Sequence, residues 1–387
     1  MKITTQYINQ ASTFEKAIES LSQKSRIYID LEFDKNHFQY GFNLCLMQIF
    51  DGEDTCYLID PLGDIKIEKI FPILEDKNIQ LVSFAFSEDM GLLHHIGAQP
   101  TNILDLSILI RLLDYETLSL NNALATMLIE EDLKDSKEKH QKSNWTLRPL
   151  TEKQLEYAKN DVIYLPALQS VLEDKIEKLQ RNEWARQEMD SFVNHNWQMA
   201  SVSQYLTHKD QASLTLAEWI RFQKIMAERE RLSEELNRPS YKTIDKARML
   251  QLAKNPEIIN NWQDLKGIHP KLKTISIQKL FSQLLNEAER EIEENKIKKD
   301  APSIPYLTRE EKIRLSQKRK RNNYLKNTYY YPLKDGIKKE YGENFANYIL
   351  SNRIIEELIN GNKKPLPYQQ EIFKVVARAF EIKFLDG

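Results

Sequence analysis

The sequence predicts an α/β domain followed by small all-helical bundles, and three observations predict it. The stretch RIYIDLEFDKN, residues 26–36, alternates Ile27, Ile29, Leu31 and Phe33 with Tyr28, Asp30 and Glu32, the two-residue period of a strand with one apolar face. Between about residues 65 and 113, short apolar runs alternate with helical patterns, which points to strands and helices in succession. From about residue 208 onward, apolar residues recur at helical spacing.

Each element has its own signal. MKITTQYINQASTFEKAIESL reads as a short strand and then a helix, with Ser12 or Thr13 as N-cap and Phe14, Ile18 and Leu21 on one face. This opening segment lacks the apolar centre of a signal peptide, so cytoplasmic residence is the expectation. After RIYIDLEF come NLCLMQIF and TCYLIDP, separated by DGEDT, whose Asp51 and Gly52 signal a hairpin turn. These three segments predict a meander. IEKIFPILEDKN reads as a helix, IQLVSFAF as a strand buried on both faces, SEDMGLLHHIG as a helix, and NILDLSILIRLL as a buried strand running into a helix. Residues from about 110 to 200 read as nearly all helix.

A second unit opens with QASLTLAEWIRFQKIMAERERL, where Leu216, Trp219, Phe222 and Met226 share a face. TIDKARMLQLAKN and TISIQKLFSQLLNEAEREIEE continue it, set apart by the turn signals KNPE and LKGIHPK. NKIKKDAPSIP fits a linker, and the last eighty residues are again helical. The predicted organisation is therefore 1–205, 208–292, a linker at 293–305, and a separate helical domain at 306–387.

Composition sets bounds on function. A chain of 387 residues has room for two or three cores. With 29% charged residues and a mean hydropathy of −0.57, and no apolar run of membrane-spanning length, it carries no membrane signal. The formal charge of −2 gives no overall argument for a polyanionic partner. The charge is unevenly spread, because REEKIRLSQKRKRNNYLKNTYYY (309–331) contains four consecutive cations from Lys318 to Arg321. A solvated helix face is the ordinary reading of such a run, with phosphate contact as the alternative. Cys45 and Cys56 lie in predicted strands and read as buried free thiols.

The candidate chemistry is acidic. Asp30 and Glu32 point the same way from one strand and repel by about 3 kcal/mol at roughly 5 Å and an effective dielectric near 20. Asp89 begins the helix after IQLVSFAF, and Asp161 lies on the helix QLEYAKNDVIYL one turn after Tyr157. Taken singly, Asp89 reads as a helix N-terminal charge, Asp161 as a surface carboxylate and Tyr157 as core. Asp34 reads as loop-edge charge.

The combination of D-x-E on an early strand, an Asp after SE at a helix start, and Y-x-x-x-D on a late helix resembles the DEDD exonuclease family, in its ribonuclease D group. RIYIDLEFDKNHFQYGFNLCLMQIF, SEDMGLLHHIGAQPTNILDLSIL and SNWTLRPLTEKQLEYAKNDVIYLPAL look like that group's segments, in order. The resemblance implies a ribonuclease-H-like exonuclease domain, with Asp30, Glu32, Asp89 and Asp161 as ligands of two divalent metal ions, Mg²⁺ or Mn²⁺. Tyr157 would orient the attacking water. The sister branch places a His where this chain has Glu156, so the tyrosine branch is indicated.

Trp145, Arg148 and Gln141 match the family's loop, as brace or substrate contact. Leu44, Met47 and Gln48 are candidates to line a nucleotide pocket, with core packing the stronger reading for the first two. Phe84, Phe86 and Asn144 depart from the family pattern. The unit from 208 resembles an HRDC domain, and the last eighty residues a second, divergent one. In the family that module helps bind nucleic acid. Here Arg221, Lys224, Arg229 and Arg231 alternate with Glu218, Glu228 and Glu230. Tyr329 to Tyr331 could stack on a base or pack in a core.

The expectation is a monomeric 3′-to-5′ exoribonuclease acting on RNA 3′ ends such as tRNA precursors and releasing nucleoside 5′-monophosphates. The alternatives are a DNA exonuclease of the same family, on single-stranded DNA, and a non-catalytic nucleic-acid-binding scaffold.

Overall fold

The computed structural model describes residues 3–116, 119–128, 142–197 and 205–382. Six strands among them, β1 Thr4–Gln10, β2 Arg26–Lys35, β3 Phe42–Phe50, β4 Thr55–Asp64, β5 Gln80–Ser83 and β6 Ile103–Asp105, form one sheet ordered β1-β4-β3-β2-β5-β6. β3 and β4 run antiparallel, while β1–β4, β2–β5 and β5–β6 are parallel pairs. The expected meander is present as three adjacent strands. Asp51 closes the β3–β4 turn by accepting the N–H groups of Glu53, Asp54 and Thr55.

Helices α1 Ala11–Leu21, α2 Phe71–Leu74, α3 Ser87–Ile96, α4 Leu106–Leu112, α5 Leu120–Leu128, α6 Glu152–Ile163, α7 Leu165–Lys178 and α8 Asn182–Val193 complete this part of the chain. One apolar cluster joins Tyr28, Leu46, Leu58 and Val82 of the sheet to Leu109, Leu124, Ala158 and Leu168 of the helices. Cys45 and Cys56 are buried thiols outside any disulfide, as their strand positions suggested. Two details differ from the sequence reading. α1 starts at Ala11, so Ser12 and Thr13 lie inside it, and Gln10 is the N-cap without a side-chain bond. β5 stops at Ser83 rather than continuing to Phe86, because Ala85 turns into the left-handed region at φ 56°.

By internal packing the chain falls into two compact units. One is Met1–Glu32, Leu44–Gln198 and Glu310–Gly387; the other is Phe33–Asn43 and Met199–Arg309. The second unit contains α9 His208–Ala212, α10 Leu216–Glu235, α11 Ser240–Thr243, α12 Lys246–Lys254 and α13 Ile275–Glu294. Phe222, Ile225, Met226, Leu252, Trp262 and Phe281 form its core, with the Trp262 and Phe281 rings stacked at 4.8 Å. The Trp262 indole N–H donates to the Leu272 carbonyl, so its one polar atom is satisfied while buried. The hairpin tip belongs here as well, since Tyr241 and Lys242 both donate to the His37 carbonyl.

The last stretch comprises α14 Arg309–Leu325, α15 Tyr331–Tyr341, α16 Glu343–Ile349, α17 Asn352–Ile359 and α18 Pro367–Ala379. Expected as a domain of its own, it instead shares a core with the sheet-bearing unit. Trp184 on α8 stacks on Phe345 and Tyr368 at 5.5 and 5.2 Å, and Glu188 accepts the hydroxyls of Tyr348 and Tyr368. Gly342, at φ 101°, lies against Asp114, which accepts the Phe345 N–H. A linker-like composition marks a change of direction in the chain, but the apolar faces on either side decide what packs together. Among the described residues no helix is long and apolar enough to cross a membrane.

Candidate metal centre

The pleat of β2 sends Asp30 and Glu32 to the same face of the sheet. α6 supplies the third carboxylate. Its start is fixed by a capping box, in which Thr151 accepts the Gln154 N–H and the Gln154 side chain accepts the Thr151 N–H. Ala158 and Val162 anchor its inner face, leaving Tyr157 and Asp161, one turn apart, at the edge of the core. Carboxylate oxygens of Asp30, Glu32 and Asp161 all lie within 4.8 Å of one another. Glu32 is buried, while Asp30 and Asp161 keep part of their surface open.

This arrangement works against ionisation. Burial pushes the Asp30 carboxyl up to about 7. Burial first, and then the charges of Asp30, Asp161 and Asp89, holds Glu32 well above the usual carboxylate range. Asp161 is raised by burial and by Asp30.

Asp89 arrives by a longer route. Beyond β5 the chain turns through Phe84 and Ala85, and the buried Asp105 carboxylate accepts the N–H groups of Ala85 and Phe86 and also caps α4 through Ser107. That clamp starts α3 at Ser87 and sets Asp89 in its first turn. Asp89 lies outside the group of three. It is nonetheless close enough that burial and then the Asp30 charge hold its carboxyl well above the usual range. Its Oδ1 is buried with no hydrogen-bond partner among the described residues. An orphaned buried carboxylate oxygen facing like charges is a lone pair lacking a cation.

Tyr157 sits against this cluster. Burial first, and then Asp161, Glu32 and Asp30, raises its hydroxyl above the ordinary range, so the phenol is protonated at neutral pH. Trp145, buried at 1% exposure, packs against it with ring centroids 6.2 Å apart. The loop carrying Trp145 is tied down by Arg148, whose five N–H groups have five acceptors: both Asp60 oxygens and the carbonyls of Cys45, Trp145 and Leu147. Tyr7 donates to the same Asp60 carboxylate. Arg148 is therefore a brace with no donor left for substrate. Gln141 lies outside the described residues.

Of the other candidates, Leu44 and Met47 are core, and Phe86 is fully buried. Gln48 is buried with both amide atoms lacking partners among the described residues. Asn144 caps its own turn, accepting from the N–H and hydroxyl of Thr146. Asp34 is no loop-edge charge. It is 3% exposed and accepts the N–H groups of His37, Phe38 and Gln39, so it shapes the hairpin tip. The α10 cations are paired inside their own unit, Arg221 with Glu289, Lys224 with Glu291, Arg229 with Glu230 and Arg231 with Glu228 and Glu235.

Sequence reasoning missed Asp60 and Asp105. The N-cap pattern of LDLS could have singled out Asp105, but nothing local pointed to the Asp60 pairing.

All the donors of the cluster are carboxylate oxygens, the hard ligands that Mg²⁺ and Mn²⁺ accept, and their crowding is relieved only by positive charge or protons. The site fits a divalent cation.

Comparison with known proteins finds similarity to exonucleases. A family profile described as 3′-5′ exonuclease matches residues 5–177. The ribonuclease D of Desulfotalea psychrophila is 30% identical over 255 residues, covering 64% of this chain and 66% of that protein. The ribonuclease D of Escherichia coli is 34% identical over 161 residues, covering 40% and 42%. The chain thus spans from about two-fifths to just under two-thirds of these relatives. The crystal structure of Escherichia coli RNase D, described as an exoribonuclease involved in structured RNA processing, superposes with a TM-score of 0.69. It does so at 20% identity, covering 97% of this chain and 99% of that one. The fold is therefore a mixed α/β exonuclease fold with a helical C-terminal part.

Proposed function

From the match of residues 5–177 to a 3′-5′ exonuclease profile and the similarity to ribonuclease D relatives, we propose that the chain is a metal-dependent 3′-to-5′ exoribonuclease of the ribonuclease D group. One observation carries the reading: carboxylates of Asp30, Glu32 and Asp161 crowd within 4.8 Å, and Asp89 feels the charge of Asp30. Asp30, Glu32, Asp161 and Asp89 would hold two divalent cations, Mg²⁺ or Mn²⁺. When bound, such a pair activates water at neutral pH and neutralises charge on the departing 3′ oxygen.

The protein's own groups do the rest. Tyr157 keeps its proton, so its hydroxyl orients a water by hydrogen bonding rather than acting as a base. Trp145 fixes the tyrosine ring, and the Arg148–Asp60 pair fixes the loop that carries Trp145. Attack at the last phosphodiester leaves the phosphate on the departing residue and releases a nucleoside 5′-monophosphate.

The substrate class in this proposal is structured RNA with a 3′ extension, such as a tRNA precursor, by analogy with the ribonuclease D relatives. The same proposal takes the sheet as ribonuclease-H-like and the second unit as an HRDC domain. Support comes from the order β4-β3-β2-β5-β6 around the carboxylate strand and from the sequence resemblance of residues 208–292. A cytoplasmic monomer is its working state.

Incubating 5′-labelled single-stranded RNA and DNA with Mg²⁺ or Mn²⁺, with and without chelator, tests it. RNA should shorten stepwise from its 3′ end, and chelator or Asp30→Asn should stop this. Shortening by Asp30→Asn would overturn the metal assignment, equal rates on DNA would overturn the RNA preference, and binding without hydrolysis would leave a scaffold.

A further inference from the structure

Helix α14 carries a second, separate electrostatic feature. None of its residues from Arg309 to Leu325 is buried. Seven cations stand against two carboxylates, a net +5 on a chain whose total is −2. A helix with no buried face gains nothing from core packing and normally relies on internal ion pairs. Here Arg314, Lys318, Arg319, Lys320 and Arg321 make no ion pair with any described residue. The contrast with α10 is direct, since each of its named cations has a carboxylate partner. Connecting two parts of a chain would require a polar helix but not one so strongly of one sign.

Spacing gives the cations direction. Arg314, Lys318 and Arg321 fall at i, i+4 and i+7, one face rising about 10 Å. Lys320 and Tyr324 share the neighbouring face, and Tyr324 is 59% exposed with its edge against Tyr329 at 6.2 Å. The helix is anchored at its far end. A wider π-helical turn at Lys326–Tyr330 leads into α15, Lys326 pairs with Glu356, and Tyr330 packs on the core.

We propose that α14 is a binding surface for the phosphodiester backbone of an RNA strand, with Arg314, Lys318 and Arg321 on phosphates and Tyr324 stacking on a base. Naming RNA as the strand rests on the function proposed above; the surface itself does not.

The test is fluorescence anisotropy of a labelled single-stranded RNA of about 20 nucleotides, long enough to cover such a groove. It uses the full chain, in chelator, across a salt series. Three proteins are compared: the unaltered chain, K318Q/R319Q/K320Q/R321Q, and the charge-keeping exchange K318R/R319K/K320R/R321K. The glutamine variant should lose at least about tenfold in affinity at about 0.1 M salt. Its log–log salt slope should fall by roughly 1.4 to 2.8, for two to four phosphates. The exchange variant should bind like the unaltered chain.

Affinity within twofold, a loss without a change of slope, or an equally weak exchange variant would each overturn the proposal. So would poly-glutamate displacing the RNA as well as unlabelled RNA does, since the surface would then suit an acidic protein. Hydrolysis is scored separately in Mg²⁺, so a chain that binds in this way yet never shortens RNA refutes the proposed function and leaves the surface standing.

Discussion

Replacing Asp30 by Asn should stabilise the metal-free protein while abolishing its response to divalent cations. Burial pushes the Asp30 carboxyl up to about 7, against an ordinary value of 3.8. A carboxyl that holds its proton more tightly when folded makes its ionised form a burden on the folded state. That burden is slight below about pH 4 and grows as pH rises to 7 and beyond. Taken in full, the difference corresponds to about 4 kcal/mol at pH 8. Asp30 keeps part of its surface open to solvent, so about half of that, about 2 kcal/mol, is the working figure. In a unit of this size it amounts to roughly 4–8 °C in Tm. Scanning calorimetry in chelator at pH 8 should therefore find Asp30→Asn melting above the unaltered protein, with the gap shrinking below about 1 kcal/mol by pH 5. Mg²⁺ should raise the Tm of the unaltered protein and leave the variant where it was. A metal-free Asp30→Asn protein that melts lower at pH 8, or equal responses to Mg²⁺, would refute the reasoning.

Tyr157→Phe removes the hydroxyl proposed to orient water, so kcat on RNA should fall by about 10²-fold with KM within twofold; a matching loss of RNA affinity would place the hydroxyl on substrate instead. Arg148→Met leaves the 2%-exposed Asp60 without its cation and should cost about 3 kcal/mol in urea denaturation at pH 7. Burial alone would raise the Asp60 carboxyl, but hydrogen bonds from Arg148 and Tyr7 outweigh it and hold it below 3.8. Its contribution is thus complete above that value and lost as pH falls below it, so the Arg148→Met deficit should narrow in acid; a deficit that widens below pH 4 contradicts the pairing. Gly342→Ala sets a Cβ 1.7 Å from the Asp114 carboxylate at φ 101° and should destabilise by about 2 kcal/mol or more, read as a lower Tm with the metal response intact.

The elements legible in the sequence were those with a long local pattern. The β2 alternation, the meander, α3, α6 and α10 all follow from periodicity plus a turn or cap. What escaped depended on partners far along the chain. IQLVSFAF looks like eight residues of strand, but Asp105, some twenty residues away, takes the N–H groups of Ala85 and Phe86 and turns the chain at Ser83. The last eighty residues look detached because a charged, proline-bearing segment precedes them. Only the stacking of Trp184 on Phe345 and Tyr368 tells which core they complete. Asp34 misled for a related reason: three backbone N–H groups reach its carboxylate only once the hairpin tip has closed.

The candidate site divides along the same line. Local pattern placed each carboxylate on its element but gave each an ordinary structural reading; only the ordered D-x-E, SE-D and Y-x-x-x-D segments, through their family resemblance, named them as one set. Their supports were not visible, because a cation's role depends on whether its donors are already taken. Arg148, Arg221 and Arg231 look equally suited to phosphate when read from the chain. Arg148 spends all five N–H groups inside its own unit, and the other two end on glutamates, so none offers a free fork. The same accounting turns attention from the helical unit's mixed charges to α14, where Arg314, Lys318 and Arg321 meet no carboxylate among the described residues. Cations in the sequence count toward nucleic-acid binding only after the structure has subtracted those the fold itself consumes.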